Sequence, residues 1–333
     1  MKKLLKVLLA SAMLLAAGCS SNSSTDTTTE DGSVDLANVK IGVIQLMQHV
    51  ALDQAYEGFK DVLVEAGVSE DNINYQVPGD QATCSTTADT IVNGGCDLIY
   101  CIATPALQAA AAATEDIPIV GCAVTDYEST GLVASNAAPG GNVTGASDLT
   151  PVAAQIDLLQ ELLPDATKVA IMYCGSEDNS IIQGNLAVEA CEAANLEYKV
   201  YTVTDTSDIQ SVTEQVCADG NDVVYIPTDN LLATYMSSVE AVLSEHNIPS
   251  IVGEEGMCSE GGLATYGINY YDLGKVAGQQ ALAILKGEAT AATTAIEYLP
   301  AEGCALKINK TVADKIGYEI DMDKYGDYVF EME

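Results

Sequence analysis

The sequence predicts an α/β protein of two similar doubly wound lobes with parallel sheets, joined by a hinge and separated by a cleft. Apolar runs of strand length alternate with segments of helical periodicity, which is typical of parallel strands buried on both faces. The series also occurs twice. NGGCDLIYCIATPALQAA at 93–110 corresponds to ADGNDVVYIPTDNLLATY at 218–235. Two further pairs of segments match at nearly the same offset, so the chain reads as a duplicated α/β unit.

Seven elements are expected in the first half, where the strands lack period-2 alternation and the helices have apolar residues at helical spacing. Gly67 ends the first helix, Gly94 and Gly95 end the second, and Pro105 begins the third. The predicted strands, the second of which includes a turn, are at 40–46, 73–80, 97–103 and 117–125, and the helices are at 51–67, 84–95 and 105–114.

The second half is expected to repeat this alternation. Its predicted strands are at 167–173, 197–203, 222–227 and 248–253, and its helices are at 179–196, 207–220 and 230–246. GNVTGASDLTP at 141–151 is the predicted first hinge crossing, and 263–287 returns before a terminal strand and helix. The predicted first lobe is therefore 36–146 plus about 266–297, and the second is 147–265 plus about 298–333.

The N-terminus is predicted to be a targeting segment. MKKLLK is a basic n-region, an apolar stretch follows, and Gly18 and Cys19 end a small-residue run that resembles a bacterial lipobox. We expect a signal peptide at 1–18, lipidation of Cys19 and a flexible Ser/Thr/Asp-rich tether at 19–35. The alternative is an ordinary signal peptide or a short anchor helix.

The charge of the chain limits its partners. The formal net charge is −35, and all 13 basic residues are Lys. Nucleic acid needs clustered cations, so it is not expected as a partner. Without Arg, no bidentate clamp can hold a carboxylate or phosphate, and an anion must be bound by backbone N–H groups, hydroxyls, amides or Lys.

The cysteines and histidines do not suggest a metal site. Ten Cys are present, nine of them after Cys19, with no CxxC and no Cys/His zinc spacing. We expect Cys to serve as a small core residue, with a single structural disulfide left as an alternative. His49 is interpreted as a hydrogen-bonding residue, and neither metal nor cofactor is expected.

A resemblance to a known family rests on several of these stretches together: the lipobox, the duplicated lobes, PGGNVTGASDLTP, YIPTDN and ATYGINYYDLG. The chain resembles substrate-binding lipoproteins of ABC importers, of the group that serves tryptophan and tyrosine uptake. The resemblance implies a type I periplasmic-binding fold, solute capture outside the membrane, delivery to an ABC permease and no catalysis. Two loops depart from the family pattern, namely Gln48-His49-Val50 and Val124-Thr125-Asp126-Tyr127.

Candidate binding residues follow the predicted strands, because ligands of open α/β sheets lie outside the carboxyl ends of the strands. Thr104 would cap a helix that begins at Pro105, whose free N–H groups could bind an anion. Asp229 is the candidate partner of a ligand ammonium, with Thr228 or Asn230 as the cap. The other candidates are Ser176, Asn179 and Ser180, one of which or Asp178 would be an N-cap, together with Gln48, Thr125 and Glu254. Plain capping without ligand contact is the alternative for each.

The predicted function is that of a monomeric, lipid-anchored solute receptor on the extracytoplasmic face of a bacterial membrane. A zwitterionic solute fits best, which would be an amino acid and possibly an aromatic one. Stacking would then use Tyr, and the residues near cleft loops are Tyr127, Tyr266, Tyr270 and Tyr271. A sugar or nucleoside-like solute and a ligand sensor are the alternatives, and no catalytic motif supports an enzyme.

Overall fold

The computed structural model describes residues 34–299 and 303–332. The predicted signal peptide, Cys19 and nearly all of the predicted tether lie outside these residues. The strands are β1 (Ile41–Gln45), β2 (Ile73–Gln76), β3 (Leu98–Ile102), β4 (Ile119–Val124), β5 (Val143–Ser147), β6 (Lys168–Cys174), β7 (Glu197–Val203), β8 (Val223–Ile226), β9 (Ser250–Val252), β10 (Ala264–Ile268), β11 (Glu297–Tyr298), β12 (Cys304–Asn309) and β13 (Val329–Phe330).

The helices alternate with these strands in both halves. They are α1 (Val50–Glu65), α2 (Gln81–Asn93), α3 (Thr104–Ala113), α4 (Val152–Leu162), α5 (Asp178–Ala193), α6 (Ile209–Ala218), α7 (Asn230–Thr234), α8 (Met236–Glu245), α9 (Glu255–Glu260), α10 (Tyr270–Leu285), α11 (Lys310–Ile316) and α12 (Met322–Tyr325). The helix predicted at 230–246 is two helices that part at Tyr235. Within the described ranges, no helix combines the length and apolar character needed to cross a membrane.

Each lobe is built on one sheet, which confirms the two-lobed α/β prediction. The first sheet has the order β11-β5-β4-β3-β1-β2, and all its pairs are parallel. The second has the order β13-β12-β10-β9-β8-β6-β7, in which β10 and β12 are antiparallel and the other pairs are parallel. β1, β3 and β4 are buried along their whole length, as expected for strands covered by helices on both faces.

The lobe boundaries differ from the prediction by a few residues. The predicted return to the first lobe near 266 falls inside β10, which pairs with β9 and β12 of the second sheet. The chain therefore crosses at Asn269, between β10 and α10. At the other end, Tyr298 pairs with Ser147 in the first sheet, so the last crossing follows β11.

The returning helix α10 completes the first lobe by packing directly on α1. A Cβ atom at Gly58 would lie 2.0 Å from the carbonyl oxygen of Tyr271, and one at Gly274 would lie 2.2 Å from that of Ala55. Two backbones this close leave no room for side chains, so glycine is required at both positions.

Cysteine serves as a core residue in the part of the chain that the structure describes. None of the nine described Cys forms a disulfide, and six of them are buried. The pKa values of the thiols of Cys101 and Cys258 are raised far above their usual range by burial, as expected for unreactive packing residues.

Candidate functional site

The carboxyl ends of both sheets face one another across a closed cavity between the lobes. Its volume is about 10 Å³, which is roughly the space for one water molecule. A larger solute therefore requires the lobes or side chains to move apart. The lining residues are His49, Leu52 and Ala123 from the first lobe, Asp148 and Tyr270 from the crossings, and Asn179, Thr228, Asp229, Asn230, Ala233 and Glu254 from the second lobe.

Asp229 lies on the second-lobe side of this cavity and is itself the N-cap of α7. One carboxylate oxygen accepts from the backbone N–H of Leu232 at 2.8 Å, and the other accepts from that of Cys174 at 2.6 Å. The prediction that Thr228 or Asn230 is the cap is therefore wrong. Burial raises the pKa of Asp229, against these hydrogen bonds. Its carboxylate retains lone pairs for a ligand donor.

Glu177 is a buried acid beside Asp229 that the sequence reasoning missed. Its Oε2 accepts from Nδ2 of Asn230 at 2.6 Å and from Nδ2 of Asn179 at 3.2 Å. Burial, and next the charge of Asp229, raise the pKa of Glu177 to about 7. Its position in the turn between β6 and α5 was the available signal, because ligands of open α/β sheets bind outside the carboxyl ends of the strands.

The polar residues around Glu177 lie differently from the prediction. The N-cap of α5 is Glu177, without a side-chain capping bond, so Ser176, Asp178, Asn179 and Ser180 are not caps. Asn179 lines the cavity, and its Nδ2 donates to the Ser180 hydroxyl at 3.2 Å. Ser176 is exposed in an open groove of about 820 Å³ between the lobes, which also contains Gln48 and Glu177.

Glu254 is the N-cap of α9 and lines the cavity from the end of β9. Its two carboxylate oxygens accept from the backbone N–H groups of Gly256 and Met257. Burial raises its pKa to about 7 in spite of these bonds. The side chain is thus held in place by the helix start while the carboxyl group borders the cavity.

Asp148 lies on the first crossing between the lobes and contacts Tyr270, which follows the second crossing. It accepts from the hydroxyl of Tyr270 at 2.9 Å and from that of Thr125 at 3.2 Å. Burial raises the pKa of Asp148 to about 6. Thr125 is thus not a lining residue, and it is connected to the cavity by its hydrogen bond to Asp148.

Of the four candidate tyrosines, Tyr270 alone lines the cavity. Tyr127 is buried in the first lobe and donates to the carbonyl of Ala146. Tyr266 lies in β10, and Tyr271 donates to Asp61 on the surface. Stacking at the cavity is therefore restricted to one tyrosine.

Gln183 is a second residue that the sequence reasoning missed. It lies on α5, is fully buried, and donates to the hydroxyl of Thr125 in the first lobe at 3.2 Å. The same amide nitrogen donates to the Thr228 hydroxyl, and its oxygen accepts from Thr150 at 3.2 Å. One side chain thereby connects both lobes and a crossing. A buried Gln inside a helix carries no sequence motif.

His49 is a neutral residue at the N-cap of α1. Burial lowers its pKa to about 4, and its Nε2 lies 3.4 Å from Oδ1 of Asn230 across the cleft. The residues lining the cavity include no Lys, so its charged groups are all acids. Among the described residues, no group of three His, Cys, Asp or Glu side chains could hold a metal ion.

The start of α3 also differs from its prediction. Ala103, with φ of 85°, is the N-cap, while Thr104 and Pro105 are the first helical residues. Thr104 is 1% exposed, and its hydroxyl has no hydrogen-bond partner. Ala123, on the cavity, also has a positive φ of 54°. Such backbone strain is frequent at ligand sites.

Two lobes that present polar strand ends to a shared cavity define a two-lobed solute-binding protein. The chain belongs to the ABC transporter substrate binding protein family, which matches residues 40–323. This is a family of binding proteins that act outside the cytoplasm, and it confirms that the chain is not an enzyme.

Several relatives are similar over most of the chain. A tyrosine-binding protein of Clostridioides difficile is 37% identical over 294 residues, which are 86% of this chain and 85% of the relative. A Streptococcus pneumonia protein in complex with L-Trp has 32% identity and a TM-score of 0.82, covering 88% of this chain and 100% of that one.

The arrangement of the lobes resembles that of the complex. A ligand-free, open substrate binding protein of Clostridium difficile has 31% identity and covers 89% of this chain and 99% of its own. Its TM-score is only 0.67, against 0.82 for the L-Trp complex at similar identity. The present structure is therefore more similar overall to the L-Trp complex than to the ligand-free, open protein.

Proposed function

We propose that this chain is the solute-binding lipoprotein of an ABC importer, which captures an aromatic amino acid between its lobes and delivers it to the permease. The observation that carries this proposal is the closed interlobe cavity lined by acids, with Asp229 at its second-lobe side. The names of the tyrosine-binding relative and the L-Trp complex support the same class of solute.

The ammonium group of the solute would bind at the second lobe. Asp229 and Asn179 line the cavity there, and the carboxylate of Glu177 accepts a hydrogen bond from Nδ2 of Asn179. An ammonium group carries three N–H donors, so it can bind the carboxylate and the amide oxygen together. These charge-assisted bonds would fix the orientation of the solute.

The carboxylate of the solute would bind at the first lobe. The sequence has no Arg, so the start of α3 is the candidate anion site, with its backbone N–H groups and the unpartnered hydroxyl of Thr104. Thr104 is buried and is not among the residues that line the cavity, so the cleft must open for a carboxylate to reach it. The side chain of the solute would extend toward the open groove. Its apolar lining is Leu46, Met47, Val77, Leu231 and Tyr235.

A thermal-shift and calorimetry series tests the solute class. L-Tyrosine and L-tryptophan should raise Tm, because a ligand that binds only the native state stabilises it. Rhamnose and adenosine are the controls and should leave Tm unchanged. A shift with a sugar or nucleoside, and none with any amino acid, would contradict the proposal and favour the alternative solutes.

The membrane anchor and the transport step need separate tests. Cys19→Ala should move the chain from the membrane fraction to the soluble extracytoplasmic fraction, while Cys84→Ala should not. Uptake of labelled L-tyrosine should fall in cells that carry Cys19→Ala at equal expression. Light scattering should give a monomer mass. Unchanged fractionation of Cys19→Ala would contradict lipid anchoring.

A further inference from the structure

The closed cavity contains more acid than one solute ammonium can neutralise. Asp148, Asp229 and Glu254 line it, and Glu177 contacts it through Asn179 and Asn230. All four acids are at most 5% exposed. Neither a Lys nor a charged His is among the lining residues. Four ionised carboxylates would therefore lie in or beside a cavity with room for about one water molecule.

A second, independent observation indicates a hydrogen-bond donor as the ligand. Asn179 is 5% exposed, lines the cavity, and its Oδ1 has no partner. The orientation of this amide is fixed, because its Nδ2 donates to Glu177 and Ser180. The Nδ1 atom of His49 is likewise buried without a partner. Both orphan atoms can accept a hydrogen bond, as an ammonium group requires.

Burial disfavours the charged forms of these four acids. Burial raises the pKa of Glu177 and of Glu254 to about 7 and that of Asp148 to about 6, and it raises the pKa of Asp229 as well. Near pH 7, Glu177 and Glu254 thus hold protons for much of the time. An ammonium group placed among them favours their charged forms.

Building on the proposed function, we propose that the cavity stores exchangeable protons on these four acids, and that the ammonium group of an entering amino acid displaces about one of them to solvent. Each displaced proton leaves a carboxylic acid as a carboxylate, and the ammonium group takes its place as the positive charge. Capture is then coupled to proton release, so affinity rises with pH.

Other titratable groups lie on the elements packed against the cavity. On α1, His49 titrates near pH 4, and Asp53 is bound by the amide of Gln45. On α10, burial keeps Tyr270 protonated. Asp80 and Asp205 line the open groove, and Asp178 is exposed. The half-buried Glu255 is next to Glu254, and burial raises its pKa too, so it contributes in the same direction.

Calorimetry on the whole protein tests the coupling. L-Tryptophan is titrated at pH 5, 6 and 7, each in two buffers of different ionisation enthalpy. We expect affinity to rise about tenfold from pH 5 to pH 7, with roughly one proton released per solute near pH 6. Equal affinity at the three pH values, with an enthalpy that does not depend on the buffer, would overturn the inference.

Two variants and two analogues sharpen this test. Glu177→Gln should reduce the proton release and flatten the pH dependence, whereas Glu260→Gln, which changes an exposed acid on α9, should alter neither. Tryptamine should bind with proton release, and indole-3-propionate should not bind. If Glu177→Gln does not fold, the proton count of the unmodified protein decides by itself.

The outcomes separate the two proposals. Binding of L-tryptophan without proton release removes this inference and leaves the proposed function intact. No binding of any amino acid at any of the three pH values removes both.

Discussion

The carboxylate of Asp229 accepts a hydrogen bond from the backbone N–H of Cys174, with 2.6 Å between nitrogen and oxygen. This bond connects the start of α7, which follows β8, to the end of β6, the strand beside β8 in the second sheet. The side chain that caps α7 thus also holds the end of β6, from which the loop at 175–177 leads to α5.

Asp229→Ala is expected to weaken both binding and stability. Losing the helix cap should lower the free energy of unfolding by about 1 kcal/mol, and losing a charged partner of the solute should lower affinity for L-tyrosine by about tenfold to a hundredfold. Urea unfolding and calorimetry measure the two effects. Asp321→Ala removes the N-cap of α12 and is the matched control, with lower stability but unchanged affinity.

Gln183→Leu should destabilise the closed arrangement of the lobes. The hydroxyls of Thr125, Thr150 and Thr228 lose their shared amide partner, which should cost about 1–3 kcal/mol of unfolding free energy. Small-angle scattering should show a larger radius of gyration with L-tyrosine than the unmodified protein has. Gln210→Leu, on the surface, is the control and should change stability by less than about 0.5 kcal/mol. A neutral effect of Gln183→Leu would mean that this amide does not join the lobes.

Gly274→Ala should destabilise the first lobe through steric overlap. The added Cβ would meet the Ala55 carbonyl at 2.2 Å, so α10 must shift away from α1, at a cost of about 1–3 kcal/mol. Thermal unfolding measures this loss. Gly141→Ala, where no atom lies within 4 Å of the added Cβ, is the control and should leave Tm nearly unchanged. Equal Tm values for the two variants would refute the tight contact.

Stability without solute should fall as pH rises from about 5 to about 7.5. Glu177 and Glu254 have raised pKa values in the folded protein, so the folded state binds more protons than the unfolded state in this window. Urea midpoints at pH 5 and 7.5 measure the trend. Glu254→Gln should reduce the difference between them. Surface acids with lowered pKa values, such as Asp222, act only below this window.

Much of the fold follows from local pattern, but the details of the site do not. The repeat between 93–110 and 218–235 predicted β3, α3, β8 and α7 at equivalent places, because apolar runs record burial on both faces. Which residue caps a helix depends on where the backbone leaves helical geometry. Ala103 was therefore not predicted as a cap, and capping by Asp229 was only the alternative to its predicted role as a ligand partner.

Burial of polar residues is a tertiary property, which explains the remaining differences. Glu177 and Gln183 look like surface residues in sequence, but both are buried, and Gln183 bonds Thr125 of the other lobe. The lobe boundary near 266 was misplaced for a related reason. Only Asn269 separates β10 from α10, and only pairing with β9 and β12 assigns Ala264–Ile268 to the second sheet.

The glycine contact between α1 and α10 also constrains the order in which the molecule can assemble. Gly58 cannot meet the Tyr271 carbonyl until the whole second half, up to α10, has left the ribosome or the translocation channel. A chain that ends before α10 would expose the apolar face of α1. Because this contact spans most of the sequence, the closure of that long loop should slow folding of the first lobe.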